Sequence, residues 1–189
     1  MKRILRKIIG KYKKIFFGEV AYWTYLGVKI GNNVQMYNCD IDRGFAYLCE
    51  IGSNSVLSQV AILTHDASMR KDLNMVKLGN VTIGENCFIG FESLIMPGVR
   101  IGNNSVVAAR SVVTKDVPPN VLVAGSPAKI IKKLDSYHNK ILNSAEEYPI
   151  FLNPDHYDTK KLDIANQLKD TKIGYCTINK DIFKKYSNL

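Results

Sequence analysis

Val81-Thr82-Ile83-Gly84-Glu85-Asn86-Cys87-Phe88-Ile89-Gly90 opens a stretch, running to Gly125, whose reading decides the fold. Counted in sixes from Ile83, it presents Ile83, Ile89, Ile95, Ile101, Val107 and Val113. With about a quarter of residues Ile, Leu or Val, six such matches arise by chance in roughly one frame in a few thousand, so the period is a signal. Gly84, Gly90, Gly102 and Ala108 follow four of these aliphatics, and Cys87, Ser93, Ser105 and Ser111 stand two places before the next. An amphipathic helix needs spacings of three and four, and a half-buried strand needs alternation. A period of six fits neither.

It fits a hexapeptide coil, in which three short strands and three tight turns make one triangular rung of about eighteen residues. The aliphatic points into the prism against its counterparts above and below, and the small residue faces inward beside it. The glycine is expected to supply the backbone conformation that a turn demands. The rhythm begins earlier, at Val28, with Ile30-Gly31 and Met36, falters from Asp40 to Cys49, and resumes with Ile51-Gly52, Leu57 and Leu63. The falter contains Asp42-Arg43-Gly44, which predicts a short bulging loop. Residues 66–78 are too polar and aperiodic for a rung, and an insertion leaving a regular scaffold is where function concentrates.

The flanks read differently. Residues 2–17 predict an amphipathic helix, with Ile4, Leu5, Ile8, Ile9, Tyr12, Ile15 and Phe16 on one face and cations on the other. Two readings stand for it: a cap over the open end of the coil stack, or an interfacial helix on anionic lipid. Ser126-Pro127 has the form of an N-cap followed by proline, predicting a helix from Ala128 to Leu134. Residues 1–27 are therefore assigned to an N-terminal helix or cap, 28–126 to the coil domain, and 127–189 to a C-terminal helix and extension.

The net charge of +9 is concentrated at the start, where seven cations precede the first acid, Glu19. That suggests an anionic neighbour for the N-terminus, and no nucleic-acid motif accompanies it. The four cysteines show no C-x-x-C spacing, and no stretch approaches 18 uncharged apolar residues. The expectation is a cytoplasmic protein, at most peripheral at the inner membrane face. Of three histidines only His65 lies in the coil region, at the lip of the insertion, where an imidazole suits general-base work. One histidine is too few for a zinc site, so no metal is expected.

Ile62-Leu63-Thr64-His65-Asp66, the insertion, Ile95-Met96-Pro97-Gly98-Val99, Thr114-Lys115-Asp116-Val117-Pro118 and Gly125-Ser126-Pro127-Ala128-Lys129, in this order, resemble the hexapeptide-repeat acyltransferases. The likeness covers roughly residues 28–134 and is greatest to sugar O-acetyltransferases of the galactoside and maltose acetyltransferase type and of capsule and lipopolysaccharide assembly. The resemblance implies a left-handed parallel β-helix, a homotrimer with active sites between subunits, and acetyl-CoA as donor. It implies that His65 is the base that deprotonates an acceptor hydroxyl. It matches Asn38 to an asparagine lining the acceptor site, although an ordinary turn asparagine is the other reading. By the same matching Phe91, Ala109, Thr114 and Lys115 line the CoA channel, with Lys129 and Lys132 near its phosphate end. The acid that the sugar enzymes place before Tyr47 is Ala46 here, with Asp40 or Asp42 as substitutes.

These features imply acetylation of a sugar hydroxyl, on a surface-polysaccharide precursor. The alternatives are N-acetylation of a nucleotide sugar or of a xenobiotic such as chloramphenicol, O-acetylation of serine, and, from another class, a non-catalytic β-helix scaffold.

Overall fold

The computed structural model describes residues 18–144, 150–152, 168–169 and 175–177. The helix expected over 2–17 lies outside them. The chain forms two units, one up to Leu134 and one from Asp135.

The first unit is a stack of parallel strands in three sheets. The first face holds β1 (Lys29–Ile30), β4 (Cys49–Ile51), β9 (Val81–Ile83) and β12 (Arg100–Ile101). The second holds β2 (Gln35–Tyr37), β5 (Val56–Ser58), β10 (Phe88–Ile89), β13 (Val106–Val107) and β15 (Val121–Ala124), edged by β16 (Lys129–Lys133). The third holds β3 (Asp40–Ile41), β6 (Ala61–Ile62), β11 (Leu94–Ile95) and β14 (Val112–Val113). Each coil visits the three faces in turn, and register pairs Ile51 with Ile83 and Ile83 with Ile101. The six aliphatics of the opening stretch are all buried. Ser55, Cys87 and Ser105 fill one inner column, and the Ser55 hydroxyl donates to Gly84 O at 2.9 Å in the next coil.

Glycine plays a different part from the one expected. The left-handed backbone of one corner falls on Asn33, Asn54, Asn86, Asn104 and Asn120, at φ +54 to +61°, and that of the next on Asn38, Gln59, Glu92 and Arg110. Asparagine tolerates that region because its short amide compensates locally. The first five also form a side-chain ladder up their corner, with amide-to-amide distances of 3.3, 3.3, 3.1 and 3.0 Å. The glycines that follow the inward aliphatics serve close approach instead. A Cβ on Gly52 would lie 2.5 Å from the Gly84 carbonyl carbon and 2.6 Å from Glu85 N.

The rhythm also slips where two coils shorten. Ile62 is fully buried and Leu63 is only half-buried, so the inward position is Ile62, not Leu63. From Leu57 to Ile62 is one residue less than from Ile89 to Ile95, its partner side in the next coil.

Helix α1 (residues 18–25) precedes the first coil and buries Tyr22 and Trp23 in the core. Its Glu19 carboxylate accepts from Cys39 N at 3.2 Å, at the edge of that coil. The insertion is an arm in which β7 (His65–Asp66) pairs antiparallel with β8 (Lys77–Leu78), with a short helix α2 (Arg70–Leu73) between them. The helix expected over Ala128 to Leu134 is absent. Strand β16 pairs antiparallel with β15 there, since β-branched Ile130 and Ile131 suit a strand and β15 offers a free edge. Helix α3 (Leu134–Ser144) begins where β16 ends. In the second unit β17 (Ile150–Leu152) pairs in parallel with β18 (Tyr175–Thr177).

Candidate active site

Stacking brings His65 and Asp42 together. Both leave the third face at the same corner, Asp42 directly after β3 and His65 three residues after the end of β6 one coil later, and Asp42 N donates to Ile62 O. The His65 Nδ1 meets Asp42 Oδ2 in a short hydrogen bond. A carboxylate can only accept, so Nδ1 carries the proton and Nε2 is left with its lone pair. The Asp42 side chain is 7% exposed, the His65 side chain 35%. Burial alone would push the Asp42 carboxyl up, but hydrogen bonds from His65, from Thr64 Oγ1 at 3.0 Å and from Gly44 N at 3.1 Å outweigh it and hold it below the usual carboxylate range. Asp42 is thus an anion clamped beneath the imidazole, not a free contact for a substrate, which corrects its candidacy as the substitute acid. Ala46 is fully buried and supplies no polar group at all.

The loop that contributes Asp42 also contributes Phe45. Its ring lies 5.2 Å from the imidazole, tilted by 49°, while its carbonyl accepts from Thr64 Oγ1. Imidazole orientation is therefore set on two sides. Composition alone marked the 42–44 bulge but not its role, because the pairing depends on which corner each coil reaches.

The other candidates fall in two groups. Thr114 and Lys115 leave β14 at the same corner as His65, two coils further on, and both are exposed. Asn38, Phe91 and Ala109 occupy the neighbouring corner, between the second and third faces, where each is exposed. Lys129 and Lys132 lie on β16, opposite Ala124 and Leu122, and a bulge at Ile131 keeps both on the outer side of the second face. Within one chain the fold does not bring Asn38 to His65. The third face separates them. Asn38 also adopts φ +52°, as the turn reading of it requires. Among the described residues no group of three metal-ligating side chains occurs, and no helix is long and apolar enough to cross a membrane.

Comparison with known proteins adds an independent line. Residues 80–115 match the family model described as bacterial transferase hexapeptide (six repeats). Protein CapG of Staphylococcus aureus is 41% identical over 154 residues, which is 78% of this chain and 87% of CapG. The chain belongs to the hexapeptide-repeat acetyltransferases. Within that family, galactoside O-acetyltransferase of Escherichia coli K12 is 39% identical over 121 residues, 61% of this chain and 59% of that protein. The crystal structure of a maltose O-acetyltransferase from Clostridium difficile 630 superposes with a TM-score of 0.55 at 27% identity, covering 70% of this chain and 86% of that one. This hexapeptide-repeat acetyltransferase carries, at one corner of its prism, an imidazole held by a buried carboxylate.

Proposed function

We propose that the protein transfers an acetyl group from acetyl-CoA to a hydroxyl of a sugar, on a surface-polysaccharide precursor, with His65 as general base on a left-handed β-helix. The observation that carries the reading is the His65–Asp42 pair, a base with its tautomer and orientation set by a buried anion. His65 Nε2 takes the acceptor hydroxyl proton as the oxygen attacks the thioester carbonyl. The tetrahedral intermediate expels CoA sulfur, which the imidazolium protonates. Asp42 stabilises that imidazolium without itself being protonated, the logic of a carboxylate-oriented base.

Acetyl-CoA is the donor that family membership suggests, and three lysines fit its phosphates: exposed Lys115 on the His65 corner, and exposed Lys129 and half-buried Lys132 on β16. The separation of the two residue groups supports a homotrimer with shared clefts. A neighbouring copy would set its Asn38, Phe91 and Ala109 against the His65, Thr114 and Lys115 of the first. The sugar acceptor is supported by the galactoside and maltose acetyltransferases that the chain resembles. Association of residues 2–17 with an anionic membrane remains part of the proposal on charge pattern alone.

The test is thiol release from acetyl-CoA against a panel of sugars, nucleotide sugars, serine and chloramphenicol, with wild type and His65→Ala. The reading expects turnover with a sugar, and a loss of at least about a hundredfold in the variant with acetyl-CoA binding retained. Near-normal turnover by His65→Ala, or activity confined to serine or chloramphenicol, contradicts it.

A further inference from the structure

The loop between β3 and β4 does more than supply Asp42. Ile30 and Ile51 are register partners 21 residues apart, whereas Ile83 and Ile101 are 18 apart, and the excess falls in the corner segment from Asp42 to Leu48. Within it Phe45 packs on the imidazole, and the Tyr47 ring follows at 6.3 Å from Phe45, tilted by 58°. The row runs imidazole, phenyl, phenol, and its outer member is 59% exposed. Tyr47 is nevertheless fixed at its base. Ala46 before it and Cys49 after it are buried, Leu48 N donates to Phe45 O at 2.9 Å, and Gly27 approaches so closely that a Cβ there would sit 3.2 Å from Tyr47 Cβ. A flat ring with a polar tip is thus held out from a rigid turn, linked to the base through the Phe45 ring that neighbours both.

We infer that Tyr47 is the specificity-determining platform of the acceptor site, stacking against the C–H face of a pyranose whose hydroxyl is presented to His65. This rests on the reading under Proposed function and deepens it. The chemistry follows from what the corner offers. Asp42 is taken by His65, Ala46 is buried, and the polar recognition of a sugar hydroxyl by a carboxylate from this turn is therefore closed. An aromatic face remains. It distinguishes a closed ring, which has an apolar face, from an open chain bearing the same hydroxyls, which has none. It also gives Phe45 its place, as the ring that neighbours both imidazole and phenol.

The experiment compares methyl β-D-galactoside with galactitol, and methyl α-D-glucoside with glucitol, as acceptors in the thiol-release assay. Wild type is expected to favour the ring form at least about tenfold in kcat/KM, the scale of one stacked ring. Tyr47→Ala should raise the KM of the glycoside about tenfold, leave the KM of acetyl-CoA and the oligomer mass in solution unchanged, and lose the ring preference, and Tyr47→Trp should keep it. An unchanged glycoside KM in Tyr47→Ala, or a rise accompanied by loss of the oligomer, overturns this inference while leaving the proposed function intact. Wild type that acetylates neither glycoside nor polyol, while releasing thiol with no other sugar, overturns both.

Discussion

At the scale of single residues the account rests on one hydrogen bond. A carboxylate without hydrogens beneath the imidazole fixes the tautomer, so Asp42→Asn leaves the shape of the pair and removes both its charge and its tautomeric bias. We expect kcat to fall at least about tenfold with the KM of acetyl-CoA unchanged, measured by thiol release. The same variant tests linkage. Because its folded-state pKa is depressed, the Asp42 contribution to stability is full above the ordinary carboxylate range and is lost as pH falls through the lowered value. Urea unfolding should then show wild type more stable than Asp42→Asn at pH 7, with the gap closing below about pH 4. A gap that persists in acid contradicts the assignment. His65 was legible as a lone histidine at the mouth of an insertion. Asp42 was not, because its partner lies 23 residues away and only the coil geometry makes them neighbours.

Among the elements, the coil was the easiest to read and its corners the hardest. Six buried aliphatics at fixed spacing announce stacked strands, since no other regular structure has that period. The left-handed positions of one corner belong to asparagines, a signal present as Asn33, Asn54, Asn86, Asn104 and Asn120 but masked by the more familiar glycines. Gly52→Ala therefore tests the close-approach reading: the atoms it would strike are backbone and cannot rotate away. It should lower stability by about 1–3 kcal/mol in a thermal or denaturant melt, whereas a glycine kept only for turn flexibility would tolerate alanine. Ile89→Ala, in the centre of the second face, should cost about 2–5 kcal/mol. The Ser126-Pro127 signal misled because local capping chemistry predicts a helix start only if no strand edge competes. Here β15 presents one, and Ile130-Ile131 takes it.

For the whole molecule, the two groups of candidate residues sit on neighbouring corners of one prism, and under the proposed function they would meet only across two copies. Sequence resemblance named the residues of both groups, but not their division, since linear order interleaves them: Asn38, then His65, then Phe91 and Ala109, then Thr114 and Lys115. The most direct measurement mixes two inactive variants by co-expression, His65→Ala and Ala109→Trp, the latter at an exposed position where a bulky ring blocks the channel without entering the core. Each alone should release almost no thiol from acetyl-CoA. Randomly mixed oligomers should regain roughly a quarter of wild-type turnover, because one cleft in four then pairs an intact His65 corner with an intact Ala109 corner. Mixed oligomers as inactive as the separate variants would contradict the shared site.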